Sequence, residues 1–340
     1  MKAVMIDDVE SVSIKEFEVP NLKSQEVLIR VKMAGICGSD IHTYKGLHSF
    51  RKPPVVIGHE VSGNIEAIGE GVTEFNIGDK VTVVPQSGCG NCEYCQRKLE
   101  NYCITRGAPG IGDWLGTTAE YCVVPASAIL KLPDSMDHKI GVLTEPLAVG
   151  FHAVKKAEIK ATDRIIIIGA GPIGLLTLAA AIEQGAKEIL ITDVLQYPLE
   201  VANELGAAES LNISQSSDWK EEAIKKMDGH FDKVLVTAGV SNILNDSIQL
   251  AKKGGKIVTV AMFHDEQKID IVNLQGTEKE IIGCMTYNRS DFDDAIKALT
   301  DLNIPMDKII SHVLPYEEAS KGFRIVDKKE ENSIKVLLTF

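Results

Sequence analysis

Residues 165–182 read IIIIGAGPIGLLTLAAAI, and no charge interrupts them between Arg164 and Glu183. A run of that length is long enough to cross a bilayer as one helix. Its internal order points elsewhere. Ile165 to Ile168 make a buried strand, Gly169-Ala170-Gly171-Pro172 breaks it, and a helix of small apolar residues follows. No basic flank or aromatic belt frames the run. The break carries Gly169-x-Gly171-Pro172-Ile173-Gly174, and a GxGxxG that closes a strand and opens a helix is a dinucleotide fingerprint. Its glycines let the backbone approach a pyrophosphate at the helix N-terminus. A second strand, Glu188 to Thr192, ends in Asp193, 19 residues past Gly174, where an acid grips the adenine ribose 2′-hydroxyl. An acid there repels a 2′-phosphate, and no Arg or Lys lies between Asp193 and Asn203, so NAD is expected over NADP. A flavin is the other dinucleotide such a motif admits.

Outward from this stretch the texture differs on its two sides. From about residue 147, RIIIIG, KEILITD, FDKVLVTAG and KIVTVA alternate with helical stretches, the signature of parallel βαβ units. Before it, AVMI, EVLIRVKMAGI, GHEVSGNIEAIG and KVTVV read as strands with Gly and Asp turns and no helices between them, which suggests an antiparallel, barrel-like unit. After residue 276 the pattern is mixed again and ends in the strand SIKVLLTF. The expectation is α/β: a nucleotide domain over 147–276 inserted into a domain made of 1–146 and 277–340. A length of 340 residues suits two such domains. With 36 basic and 48 acidic side chains the formal charge is −12, which excludes general binding to nucleic acid or anionic membrane. The N-terminus, MKAVMIDDVE, lacks the apolar region of a signal peptide, so a cytoplasmic address is expected.

Seven cysteines in a reducing compartment point to ligation or catalysis rather than disulfides. Four of them, Cys89, Cys92, Cys95 and Cys103, sit in SGCGNCEYCQRKLENYC, a lobe of about residues 86–104. Four thiolates in a short loop close a tetrahedron around a structural zinc. An iron–sulfur cluster is the rival, but its bacterial run places three residues and then Pro around the fourth cysteine. Here seven residues intervene and Ile104 follows. Unligated thiols are the third possibility. Upstream, Cys37 stands in GICGSDIH and His59 in Gly58-His59-Glu60. One Cys, one His and a carboxylate suit an open zinc site, although each alone is more often plain core packing. Glu145, before Pro146, is a candidate third ligand or an ordinary acid at a helix start.

Together these residues resemble the zinc-dependent medium-chain dehydrogenase/reductase superfamily over nearly the whole chain. The resemblance rests on Gly58-His59-Glu60-x2-Gly63, Gly78-Asp79-x-Val81, the four-cysteine lobe, Gly112 to Tyr121 ending in Ala-Glu-Tyr, Glu145-Pro146 and the glycine fingerprint. It implies a GroES-like β-barrel catalytic domain and a Rossmann doubly wound sheet, with the active site in the cleft between them. It implies two Zn2+ per chain and NAD. Cys37, His59 and Glu145 would hold catalytic zinc, with Glu60 close enough to ligate transiently. Ser39 would hydrogen-bond the reacting hydroxyl, His42 would pass its proton to solvent, and Asp40 would orient His59. Glutamate at 145, where liver-type alcohol dehydrogenases have cysteine, points to the sorbitol, butanediol and hexonate branch. The implied reaction interconverts a secondary alcohol (a polyol, sugar acid or small diol) and its ketone. Polyol-phosphate and L-threonine-type dehydrogenases are alternatives, as is a zinc-binding structural or sensory protein of the same fold. The partner is a small-molecule alcohol, and the resemblance implies a homodimer or homotetramer. The chain departs from the branch at Leu115-Gly116-Thr117-Thr118, where Asp-Gly-Gly is usual, and at Pro198, where Arg is usual. Ser39, Tyr44, Phe50, Trp114 and Glu145 are candidates to line the substrate site, although Trp114 could equally pack under the lobe; Arg51-Lys52 reads as a solvated basic pair, the alternative being that it meets a phosphate or carboxylate.

Overall fold

Strands punctuated by glycine and aspartate build the first part of the chain, in a computed structural model that describes every residue except His264 and Leu302. They are β1 (Lys2–Asp8), β2 (Ser11–Glu16), β3 (Glu26–Gly35), β4 (Val55–Val56), β5 (Glu60–Ile68), β6 (Lys80–Val83), β7 (Tyr121–Pro125) and β8 (Ile129–Lys131). Helices α1 (Gly38–Tyr44), α2 (Glu93–Gln96), α3 (His138–Gly141) and α4 (Thr144–Ala157) lie among and after them. Strands and helices then alternate: β9 (Arg164–Ile168), α5 (Pro172–Glu183), β10 (Glu188–Asp193), α6 (Gln196–Leu205), β11 (Glu209–Asn212), α7 (Trp219–Lys226), β12 (Phe231–Val236), α8 (Ile243–Leu250), β13 (Ala251–Thr259), α9 (Ile271–Gly276) and β14 (Glu280–Gly283). The chain continues through α10 (Arg289–Asp301), β15 (Ile310–Pro315), α11 (Ala319–Lys328) and β16 (Lys335–Thr339).

Two units result. The first holds Met1–Glu145, Asn288–Asp301 and Ile310–Phe340; the second holds Pro146–Tyr287 and the short run ending at Ile309. In the first, β15-β16-β3-β5-β6-β8 form one sheet with β7 also paired to β3, and β2-β1-β4 form another. Strand β3 shows why the sheet encloses a core: Val27, Ile29 and Val31 alternate inward while Arg30 faces out. They pack with Val61, Ile65, Val81, Val83 and Ile129. A second cluster joins Val4, Ile6, Ile36, Phe323, Val336 and Leu338.

The second unit is a six-stranded parallel sheet in the order β11-β10-β9-β12-β13-β14. Numbered within the unit this is 3-2-1-4-5-6, the doubly wound dinucleotide order, with its switch point between β9 and β12. Central β9 is covered on both faces, which is why Ile165 to Ile168 are apolar without alternation and no more than 2% exposed. The run 165–182 thus divides into β9 and α5. Among the described residues no helix is long and apolar enough to cross a membrane.

The expected return to the first domain at 277 is corrected to 288. Strand β14 extends the parallel sheet, with Ile281 beside Ile257, and a single short strand carries no local sign of which sheet it joins. The run to Ile309 also stays with the second unit, packing on α6 with Lys308 Nζ 2.9 Å from Glu204.

Candidate metal centres and dinucleotide loop

Strand register assembles the first site. Pairing of β3 with β5 sets Gly35 opposite Glu60, so Cys37, two residues past the strand end, meets His59 and Glu60 at the start of β5. One donor atom from each of Cys37, His59 and Glu60 lies within 4.8 Å of the other two. His59 and Glu60 are buried, and Cys37 is half-buried. On the other side of β3, β16 sets Leu337 opposite Gly35. That register carries Lys335 Nζ onto both carboxylate oxygens of Glu60 and within 3.2 Å of the Ile36 carbonyl. The packing leaves no room for a side chain between them: a Cβ on Gly35 would sit 1.8 Å from Glu60 Oε2.

Cys37 is also the N-cap of α1, where its backbone N–H donates to Asp40 Oδ2 at 3.0 Å. Asp40 Oδ1 lies 3.4 Å from His59 Nδ1, an ion-pair distance without a hydrogen bond between the two. Burial alone would raise Asp40, but His59, Arg51 and the Cys37 N–H outweigh it and hold the carboxyl below its usual range. Burial alone would lower His59, yet Asp40 and the Cys37 sulfur pull it well above the usual imidazole value. The neighbourhood of His59 thus favours positive charge, as a divalent cation between Cys37 and His59 requires. Burial would likewise lower Lys335, but Glu60, Cys37 and Glu145 together hold it above its usual value.

Glu145 is buried in the first turn of α4 but lies outside the group of three that share the 4.8 Å radius. Its charge still reaches Lys335. Ser39 and His42 sit on one face of α1, three residues apart. Ser39 offers its carbonyl to Thr43 Oγ1 at 3.2 Å.

The solvated basic pair is half corrected. Lys52 is exposed, with Nζ 3.0 Å from the Gly46 carbonyl. Arg51 is buried, 8% exposed, with Nη1 3.7 Å from Asp40 Oδ1. Tyr44 packs on Phe323 with ring centroids 5.7 Å apart, and Trp114 packs against the barrel core rather than standing free. Phe50 is 51% exposed and meets His48 edge-on at 4.4 Å. His48, Arg51 and Lys335 were not singled out by the sequence as parts of this site. Only the three-dimensional register of β16 and the loop after α1 brings them in.

The four cysteines of the lobe converge as their spacing requires. Cys89, Cys92, Cys95 and Cys103 each place a sulfur within 4.8 Å of the others, and Cys89 and Cys95 are 4.0 Å apart. Sulfurs about 2.3 Å from a tetrahedral zinc stand about 3.8 Å from one another, so the donor set fits that ion. Backbone N–H groups aim at the sulfurs: Cys89 N to Cys103 Sγ at 3.4 Å and Cys95 N to Cys92 Sγ at 3.5 Å. The N–H groups of Asn91 and Cys92 draw Cys89 down to about 6.

In the second unit the glycine loop leaves β9 and enters α5. A Cβ on Gly174 would fall 1.9 Å from the Gly169 carbonyl, so the helix can seat on the loop only with glycine there. Gly171 caps α5 without a side-chain hydrogen bond, and Pro172 opens its first turn, so first-turn N–H groups remain for an anion. Asp193 Oδ2 accepts the Ala170 N–H at 2.7 Å and Oδ1 accepts the Leu195 N–H at 3.0 Å, fixing the carboxylate beside the loop. Thr237 Oγ1, which the sequence did not flag, lies 2.9 Å from both the Ile168 and Gly169 carbonyls.

A doubly wound sheet with this loop, in a chain that also carries a Cys-His-Glu donor set and a four-cysteine lobe, defines a metal-dependent, dinucleotide-using dehydrogenase. The chain belongs to the zinc-binding dehydrogenase family. Residues 23–134 match the alcohol dehydrogenase GroES-like domain and residues 172–301 the zinc-binding dehydrogenase domain. Sorbitol dehydrogenase of Halalkalibacterium halodurans is 33% identical over 333 residues, covering 96% of this chain and 95% of that protein. The alcohol dehydrogenase rspB of Escherichia coli CFT073, solved with NADH, superposes with a TM-score of 0.92 at 30% identity, covering 100% of this chain and 99% of that one. The 2R,3R-butanediol dehydrogenase of Bacillus subtilis gives 0.91 at 28% identity, with the same coverage.

Proposed function

We propose that the protein is an NAD-dependent, zinc-dependent dehydrogenase that interconverts a secondary alcohol of a polyol, sugar acid or small diol with its ketone. The observation that carries this reading is the convergence of Cys37, His59 and Glu60 within 4.8 Å, in a field that draws in positive charge. Cys37, His59 and Glu60 hold the catalytic zinc, with Glu145 as the further buried carboxylate of the same site. Cys89, Cys92, Cys95 and Cys103 hold the structural one. When bound, zinc supplies Lewis acidity that lowers the cost of forming an alkoxide, and NAD supplies the hydride acceptor. Asp40 keeps His59 in the tautomer that presents Nε2 to the metal. Ser39 hydrogen-bonds the reacting hydroxyl and takes its proton, and His42, one turn further on, moves it toward solvent. Gly169, Gly171, Pro172, Ile173 and Gly174 receive the pyrophosphate, and Asp193 accepts from the adenine ribose.

The intact donor set favours an enzyme over a structural or sensory protein of the same fold. Zinc ligation by five of the seven cysteines needs them reduced, which supports a cytoplasmic setting. The chain forms a homo-oligomer: β14 is an edge strand of its sheet, and Ile271, Val272 and Met285 nearby are 63%, 78% and 58% exposed. Light scattering after size exclusion gives the subunit number, and a monomer refutes that part. The central test pairs metal analysis with a panel of polyols, sugar acids, diols and polyol phosphates, read by NADH absorbance. About two zinc ions per chain and turnover of at least one secondary alcohol are expected. One zinc or none, with no turnover across the panel, overturns the reading.

A further inference from the structure

We infer that Arg51 is a positioning residue of the catalytic zinc site, acting on His59 through Asp40. The inference rests on the proposed role of Cys37 and His59 as zinc ligands. Arg51 is 8% exposed, and its Nε and Nη1 are buried without a hydrogen-bond partner. A guanidinium normally satisfies its fork of donors when it leaves water. Here the nearest carboxylate oxygen is Asp40 Oδ1, 3.7 Å from Nη1, and that same oxygen stands 3.4 Å from His59 Nδ1. One carboxylate oxygen is therefore shared between a fixed cation and a metal-ligating imidazole.

The rest of the local structure holds the guanidinium in that place. The backbone N–H of Arg51 donates to His48 Nδ1 at 3.1 Å, which ties the loop back to the end of α1. The guanidinium carbon lies 5.8 Å from the Phe50 ring centroid. Gly110 closes the far side: a Cβ there would stand 3.5 Å from Arg51 Cδ and 3.7 Å from Nε. Asp40 is held from the other side by the Cys37 N–H at Oδ2. Oδ1 is thus the oxygen left to choose between pointing at His59 and turning away, and Arg51 fixes the choice. Partners that orient a ligating histidine set metal affinity over a range of about 10- to 100-fold.

The test replaces zinc with cobalt(II) in the whole protein and titrates it away with a chelator, reading the two sites by their distinct visible spectra. Arg51→Gln should weaken cobalt at the Cys37-His59 site by about 10-fold and alter that site's spectrum. The lobe cobalt should be unmoved, which a general loss of structure would not permit. Arg51→Lys should restore most of the affinity. In an Asp40→Asn background, Arg51→Gln should add less than about twofold, because the carboxylate it acts through is gone. Affinity within about twofold of the parent overturns the inference, as does an equal loss in the Asp40→Asn background. Should Arg51→Gln not fold, Arg51→Met, which removes the same cation but keeps the aliphatic stem, puts the same question against the parent in both backgrounds. A parent protein that binds cobalt only in the lobe refutes the zinc-site reading itself, an outcome distinct from the others.

Discussion

Replacing Lys335 with methionine tests the assembly of the metal site from its most buried side. Lys335 is 2% exposed and Glu60 0%, and the ammonium faces both carboxylate oxygens and the Ile36 carbonyl. Methionine keeps most of the aliphatic stem, so the cavity left behind is small and the change is chiefly one of charge. Removing one partner of a buried ion pair leaves the other uncompensated, at a cost of about 3–5 kcal/mol. That is the expected loss in protein stripped of metal. With zinc bound beside Glu60 a second cation faces the carboxylate. The loss should then fall to about 1 kcal/mol, the unmade hydrogen bond to the Ile36 carbonyl. The chain has two tryptophans, Trp114 in the first unit and Trp219 in the second, so a Trp219→Phe background lets denaturant unfolding of the first unit be followed alone. Lys335 lies above its usual 10.5, so its contribution is whole below that value and is lost only as pH climbs through the higher folded one. Neutral pH therefore reads it in full. Adding Glu60→Gln should recover at least about 2 kcal/mol of the metal-free loss. A loss below about 1 kcal/mol without metal, or the same loss with and without it, refutes the reasoning.

Three further outcomes are expected. Asp193→Ala should cut the preference for NAD over NADP, measured as the ratio of kcat/KM values, by about tenfold, or 1.4 kcal/mol; an unchanged ratio shows that Asp193 does not read the ribose. Cys92→Ser should release one zinc per chain and lower the thermal midpoint by several degrees, since binding energy at a structural site is folding energy; native zinc content and midpoint reject the four-cysteine assignment. His48 is lowered from 6.5 to about 4, chiefly by burial and then by Arg51. Its neutral form is the one the fold favours, so its contribution is complete above 6.5 and drains away as pH falls toward 4, by at most about 3 kcal/mol. His48→Asn, which keeps an acceptor for the Arg51 N–H, should flatten stability across that window, and an unchanged acid slope would count against it.

The glycine fingerprint, the cysteine spacing and the Gly-His-Glu string were legible because each binds its chemistry to neighbours in sequence. Four isoleucines before Gly169 announce a strand covered on both faces, and the structure places that strand at the centre of the parallel sheet. Other features depend on register, which a local pattern does not carry. Lys335 reads as an ordinary polar residue at the head of an apolar strand, and only the pairing of β16 with β3 turns it toward Glu60. Arg51 beside Lys52 reads as a wet surface pair, and the turn from His48 to Arg51 buries one and leaves the other out. The misplaced boundary at 277 has the same origin, since β14 is chosen for its sheet by β13 and not by its own four residues.

The pairing of β16 with β3 also dictates a timetable. Glu60 precedes Lys335 by 275 residues, and the whole contiguous stretch Pro146–Tyr287 is made in between. At ribosomal speeds of about 5–20 residues per second, the carboxylate waits roughly 14–55 seconds for its counter-ion. The nucleotide-binding half can finish folding during that wait, while the half that captures the ion stays open at its innermost seam. Closure of the buried ion pair beside the metal site is thereby a late event in biogenesis, completed when β16 pairs with β3.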